Sequence, residues 1–247
     1  PNIDDVGKIR ENRGYLIVPN PMLLPEYAYN FELGLTKYLK KEKNYISVQG
    51  FTTLISRHIG RNNYPIFSDQ TTSSNSTILY NGEELITLAN NNLGNRYMLG
   101  TSLDGNIFFT DKISLKGDIN IINALKNEQY GPLPSISPVF LNLFINYEKE
   151  KWFASLRYQY SGSKNPEEYS LGGEDGLEET PIISQSQGIY AGTPAWSELS
   201  FLTQFSWNEN GKITIGLENI FDVHYRSFAS GVSAPGRNLR LGLNLKF

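Results

Sequence analysis

The 247-residue sequence contains no cysteine, which excludes disulfide scaffolds, Cys-ligated zinc and thiol nucleophiles. No window approaches the roughly 20 consecutive apolar residues that a membrane-spanning helix requires, so a helical membrane protein is excluded as well. A membrane barrel is not, because its strands alternate apolar and polar residues and look only moderately hydrophobic. Basic residues are not in surplus. With 22 Lys+Arg against 25 Asp+Glu the formal net charge is −3, and there is no electrostatic footprint for nucleic acid. The sequence opens Pro-Asn-Ile-Asp-Asp, with neither an initiator Met nor a signal-peptide pattern, and reads as a mature product or a piece of something longer. What it holds in quantity is aromatic: Phe, Trp and Tyr make up 13%.

Period-two alternation dominates the chain and marks strands with two unlike faces. Leu239, Leu241, Leu243, Leu245 and Phe247 share one face, and Asn238, Arg240, Gly242, Asn244 and Lys246 the other. Similar stripes are Ile213-Ile215-Leu217, Val139-Leu141-Leu143-Ile145-Tyr147, Ile113-Leu115-Gly117-Ile119-Ile121 and Tyr29-Phe31-Leu33-Leu35. The pattern predicts about nine strands, near 27–39, 44–59, 92–110, 112–123, 137–148, 152–160, 196–208, 212–219 and 237–247. No stretch has a helical period, so the fold class is all-β. Segment 78–89 would extend a hairpin inside one connection.

The connections alternate short and long. Lys40–Lys43, Asp111, Lys149–Glu150 and Asn208–Gly211 read as tight charged turns. Segments 60–91, 124–136, 161–195 and 220–236, with the leading 1–26, read as long loops. Structureless stretches of this length are unusual inside compact domains and tend to carry function. If every second connection is long, all the long loops leave one end of an up-and-down antiparallel sheet, the build of an outer-membrane barrel. Tyr38, Tyr45, Tyr147, Trp152 and Trp207 flank the short turns, where one interfacial girdle would sit. Tyr27, Tyr29, Tyr158, Tyr160 and Trp196 fall near the long-loop ends and match the other girdle. A soluble β-sandwich adhesin would place its aromatics at strand centres. An odd strand count leaves an unpaired edge, costing several kcal/mol per unpaired backbone group in lipid. The chain is therefore expected to be the C-terminal part of a larger barrel.

The last 35 or so residues carry a signature: Gly216-Leu217-Glu218-Asn219-Ile220-Phe221-Asp222, then His224-Tyr225-Arg226, Ala234-Pro235-Gly236-Arg237-Asn238 and a terminal strand ending in Phe247. Near the start stand Asn20-Pro21-Met22-Leu23-Leu24-Pro25-Glu26 and Tyr29-Asn30-Phe31-Glu32-Leu33-Gly34. Together they resemble the TonB-dependent outer-membrane receptors, the Bacteroidetes branch more than the enterobacterial one. The resemblance spans nearly the whole chain and is most specific at its two ends. It implies a transmembrane barrel of about 22 strands closed by an N-terminal plug, with residues 1–247 as its C-terminal segment and the plug and earlier strands absent. It also implies a Gram-negative outer membrane, a periplasmic C-terminus, and uptake of a scarce nutrient energised by TonB acting through the missing plug. The expected cargo is a ferric siderophore first, then haem or cobalamin. Expected partners are outer-membrane lipid, the plug, TonB, the barrel-assembly machinery and an extracellular small molecule, with no nucleic acid and no cofactor. The ending resembles a barrel-assembly signal, with Arg240, Gly242, Leu245 and Phe247 as its residues. A passive porin or structural barrel is the alternative reading.

Candidates for chemistry are few. His58 and His224 lie near strand ends on the long-loop side, with Ser56 and Ser227 nearby in sequence but no nucleophile elbow, so no enzyme is expected. Glu174, Asp175, Glu178 and Glu179 lack the spacing of a calcium loop and read as a solvated charge run. Asp222, Arg226 and Arg237 are placed to pair across the mouth of the last hairpin. Arg157, Gln159, Glu218, Arg240 and Lys246 are expected on the inner face. Tyr64, Phe67, Tyr80, Tyr169 and Tyr190 are loop aromatics able to stack on a ligand.

Overall fold

A computed structural model describes residues 1–12, 14–39, 43–66, 76–170 and 172–246. The Lys40–Lys43 turn is thus described only at Lys43, and Phe67 and Phe247 lie outside the described residues. A five-residue helix, α1 (Ile3–Gly7), leads to β1 (Arg10–Asn12), β2 (Tyr15–Ile17), β3 (Tyr27–Tyr38) and β4 (Tyr45–Ser56). Then come β5 (Ile59–Asn63), β6 (Thr77–Tyr80), β7 (Glu83–Asn92), β8 (Arg96–Phe108), β9 (Ile113–Ala124), β10 (Phe140–Lys149) and β11 (Trp152–Ser161). A small hairpin, β12 (Ile182–Ser184) with β13 (Ile189–Tyr190), precedes β14 (Trp196–Asn208), β15 (Gly211–Glu218) and β16 (Asn238–Leu245). No described helix is long and apolar enough to cross a membrane.

Nine strands form one sheet in the order β16-β15-β14-β11-β10-β9-β8-β4-β3. Every neighbouring pair is antiparallel. These are the nine strands expected from alternation, with ends shifted by a few residues. Register carries each apolar stripe across the wall: Leu241 faces Ile215, which lies level with Thr203 and Ala154. The opposite face pairs Arg240 with Gly216, Asn142 with Gln159 and Asp104 with Asp118. Outward Leu241 is 70% and Leu35 71% exposed, the inverse of a water-soluble sheet and the arrangement that suits hydrocarbon outside and polar surroundings inside. Every residue of β3, and all but the first of β16, is exposed, because each is an edge strand with one lateral neighbour.

Polar residues on the inner face satisfy one another. Asn142 donates to Asp118 Oδ2 at 3.0 Å and accepts from Gln159 at 2.8 Å. Arg240 pairs with Glu218 at 3.3 Å, and Arg157 with the buried Glu198 at 3.4 Å. Phe51 lies over Gly100 on the facing strand, where a Cβ would stand 2.2 Å from the ring, so glycine there makes room for the aromatic.

Three expectations need correction. Segment 60–91 is not structureless. Its strands β5, β6 and β7 join β1 and β2 in a five-stranded sheet, with β2 parallel to β7. The pairing is between distant segments, so period-two reading of one window cannot find it, although the hairpin anticipated at 78–89 is present as β6–β7. Its core is Leu16, Val18, Leu85 and Ala89, with Tyr64 and Ile78 against it. The expected strands 44–59 and 92–110 are cut short because Arg57 (φ 55°) and Gly94 (φ 75°) are left-handed and bend the hairpin. The hydrogen bonds from His58 N to Gly94 O and from Leu93 N to His58 O then carry the pairing on into β5 and β7. Finally, α1 is too short to show a period. It is held by Asn2, whose side chain accepts from Asp5 N at 3.0 Å while Asp5 accepts from Asn2 N at 2.8 Å.

The girdles are also only partly as expected. Tyr147 and Trp152 lie on the outward face near the short turns, Trp152 packed 4.6 Å from Phe205. Tyr38 and Tyr45 face each other in register with Thr36 and Ser47, on the inner face. Trp196 likewise shares the inner face with Glu198 and Ser200. Alternation near a strand end shifts a residue to the opposite face with each single step.

Candidate functional site

The long loops leave one end of the sheet, and the geometry there begins with a loop base. Asn219 closes β15 in the left-handed region (φ 49°) and is 3% exposed. Its Nδ2 donates to Val223 O at 2.9 Å and Pro235 O at 3.2 Å, and its Oδ1 accepts from Val223 N at 2.9 Å. Glu198 accepts from Asn219 N at 2.9 Å and contacts Ser200 Oγ, tying the base to β14. Asp222 Oδ1 accepts from Arg237 N at 2.7 Å across the loop mouth. The Asn219 and Asp222 positions of the terminal signature are therefore a clamp that sets the course of residues 220–237.

A second clamp ties the neighbouring loop. Lys164 and Asp175 are both buried, Nζ standing 3.6 Å from Oδ2. Lys164 Nζ also donates to Ile136 O at 2.6 Å and sits 4.1 Å from the centroid of the Phe228 ring. Asp175 Oδ1 accepts from Ser135 N at 2.8 Å. Burial lowers the Lys164 pKa, and Asp175 acts against that shift. Tyr169, itself buried, joins its hydroxyl to Thr193 Oγ1 at 2.6 Å, and burial raises its pKa. One ammonium thus links three loops.

Between these clamps lies a cavity of about 430 Å³. Trp196 and Tyr225 form one wall, their rings stacked with centroids 3.9 Å apart. Pro181 and Ile182 contribute apolar surface, and His224 and Arg226 polar groups. Arg226 donates to Glu179 O at 2.7 Å. Burial raises the Tyr225 pKa above the usual phenol value. An apolar hollow with a few placed polar groups is suited to holding part of a small molecule by stacking and hydrogen bonding.

The residues singled out in sequence fare differently. His224 lines the cavity, its Nε2 3.1 Å from Ser233 Oγ rather than on Ser227. His58 is buried elsewhere, its Nδ1 3.0 Å from Glu26; burial lowers its pKa, against the opposing pull of Glu26. The acidic run is not one solvated face: Asp175 turns inward to Lys164, while Glu174 is exposed and accepts from Ser170 Oγ. Among the described residues no three His, Asp or Glu converge as a metal site. Arg237 pairs with Asp222 at 3.9 Å as expected, but Arg226 reaches the neighbouring loop instead.

Of the loop aromatics, Tyr64 packs on the five-stranded sheet, Tyr169 is in the second clamp, and Tyr80 and Tyr190 lie on hairpin strands. None of these four lines the cavity. Trp196 and Tyr225 do; Tyr225 stood inside the His-Tyr-Arg motif, the one sequence signal for it. Arg240 lies on the inner face, Gly242 faces Thr214, and Leu245 faces Gly211.

Residues 5–220 match the family described as TonB dependent receptor-like, beta-barrel. No curated protein matches the sequence. Among solved structures the chain is similar to a variant of the ferric enterobactin receptor PfeA from Pseudomonas aeruginosa, with a TM-score of 0.69 and 15% identity over 94% of this chain and 33% of that one. It is similar to the siderophore receptor PirA from Acinetobacter baumannii, with a TM-score of 0.69 and 16% identity over 94% and 33%. For the copper transporter OprC the TM-score is 0.67, with 15% identity over 92% and 32%. The chain thus spans about a third of the length of these solved chains, and at such identities the likeness is one of fold.

Proposed function

The chain belongs to the TonB-dependent receptor family, and on that premise we propose that it is a wall segment of a receptor that imports a scarce nutrient, a ferric siderophore foremost, across the outer membrane. The observation that carries this reading is the sheet itself: nine antiparallel strands, apolar outside and polar inside, whose long loops gather at one end around an aromatic cavity. In this reading the loop end faces outward, so β16, running from Asn238 at that end to Leu245, brings the C-terminus to the periplasmic side. The unpaired edges of β3 and β16 receive the remaining strands of a larger barrel. The inner hollow of about 360 Å³ among Phe144, Phe153, Leu202, Arg157 and Arg240 receives a plug through which TonB acts. These residues contribute binding and containment; no bond is made or broken by them.

Uptake tests the reading. Cells carrying the full receptor should accumulate a labelled ferric siderophore, and dissipating the proton gradient should abolish accumulation. Uptake indifferent to the gradient would point to a passive pore instead. Tyr225→Ala, which removes the stacked ring, should weaken siderophore binding about tenfold, equivalent to about 1.4 kcal/mol. Tyr64→Ala, away from the cavity, should leave it unchanged.

Arg240, Gly242, Leu245 and Phe247 are proposed to be read by the barrel-assembly machinery. Removing Phe247 should lower the amount of folded receptor in the membrane, measured by heat-dependent gel mobility. Wild-type amounts would remove that assignment.

A further inference from the structure

Trp196, Glu198 and Ser200 stand at successive inward positions of β14. Trp196 lines the aromatic cavity, Ser200 lines the inner hollow, and Glu198 lies between them, 2% exposed. Arg157 is opposite Ser200 in register and diagonal to Glu198. It lines the hollow, where its side chain is 38% exposed, and it is not among the residues around the cavity. Its Nη2 donates to Glu198 Oε2 at 3.4 Å and to Ser200 Oγ at 3.5 Å. The other carboxylate oxygen, Oε1, accepts from Asn219 N at 2.9 Å and from Ser200 Oγ. Asn219 in turn holds Val223, two residues before Tyr225, and Ala234 N donates to Tyr225 O at 2.9 Å. Burial raises the Tyr225 pKa most, Glu198 raises it further and Arg157 lowers it, so both charges act on the ring that stacks on Trp196.

A carboxylate this buried is costly without a cation and well-made hydrogen bonds. Glu198 takes a hydrogen bond from the loop base and its counter-charge from the hollow. We propose that Arg157 and Glu198 are positioning residues for the cavity. The guanidinium holds the carboxylate on Asn219 N, and the loop base so fixed sets Tyr225 against Trp196. The shape of the cavity is thereby set from the inner wall, by a cation that does not line it. That the cavity binds a nutrient rests on the receptor reading; the position of Tyr225 does not.

Fluorine NMR of the full receptor, labelled with fluorotryptophan and held in detergent, tests the assignment. The Trp196 signal is identified by its loss in Trp196→Phe. Arg157→Met should shift and broaden that signal. It should also make proteolytic cleavage between residues 220 and 236 about tenfold faster, the worth of one hydrogen bond to a charged group. Arg157→Lys, which keeps the charge, should restore much of both. Lys116→Met, in the same hollow, should change neither. Arg157→Met should add nothing to Glu198→Gln, since Arg157 acts through that carboxylate. If Arg157→Met does not assemble, Glu198→Gln decides: its amide oxygen still accepts from Asn219 N but offers Arg157 no charge, and the same shift is expected. An unmoved Trp196 signal, additive effects of the two substitutions, or an equal response to Lys116→Met would each overturn the proposal. Uptake enters none of these readouts, so a failed uptake experiment leaves them standing.

Discussion

Asn219→Ala should destabilise the long-loop end of the sheet more than any other single change in the terminal signature. Alanine removes three side-chain hydrogen bonds, to Val223 N, Val223 O and Pro235 O, each of net value about 1 kcal/mol. It also leaves a residue with a Cβ at φ 49° without the local bonds that make asparagine tolerable there, at a further cost of about 1 kcal/mol or more. The total is about 3–5 kcal/mol. Asn219→Gly separates the two contributions, because glycine loses the bonds but not the backbone comfort, and should fall short of alanine by about 1 kcal/mol. Denaturant unfolding of the full receptor in detergent gives the magnitudes. Limited proteolysis should show new cleavage between residues 220 and 236. Equal stability of Asn219→Ala and the unaltered receptor would mean that the clamp does not hold the loop.

The Lys164–Asp175 pair should give the second large effect. Lys164→Met leaves Asp175 buried, 3% exposed, with its charge uncompensated, which costs about 3–5 kcal/mol when one partner of a buried pair is removed. It also takes the donor from Ile136 O and the cation from the Phe228 ring. Adding Asp175→Leu replaces both charges by apolar groups and should recover much of that loss. Recovery stays incomplete, because Ser135 N then lacks its acceptor, a residual of about 1–3 kcal/mol. A double-mutant cycle on thermal midpoints reads the coupling. If the double variant is as unstable as the sum of the singles, the pair does not act as a unit.

The two clamps join residues that no single window of sequence brings together. Asn219 was visible as part of a family-like motif, yet its role emerged only when Val223, Pro235 and Glu198 were found around it. In sequence Asp175 reads with Glu174, Glu178 and Glu179 as a solvated run, because charge density in a window says nothing of which carboxylate turns inward. Lys164 carried no signal at all. Its place at a strand end predicts a lipid-facing girdle position for Trp196, whereas the residue stands on the inner face against Tyr225.

The nine wall strands, their alternation and the long and short connections were set by the sequence alone. Each wall strand meets one environment on its outer face and another on its inner face, so the constraint acts at every second residue and is written locally. The five-stranded sheet, the bend at Arg57 and Gly94, the two clamps and the aromatic cavity were decided by the tertiary structure. Each joins segments tens of residues apart, and a side chain's surroundings there depend on which distant loop arrives, a choice made by packing and burial rather than by the period of any one stretch.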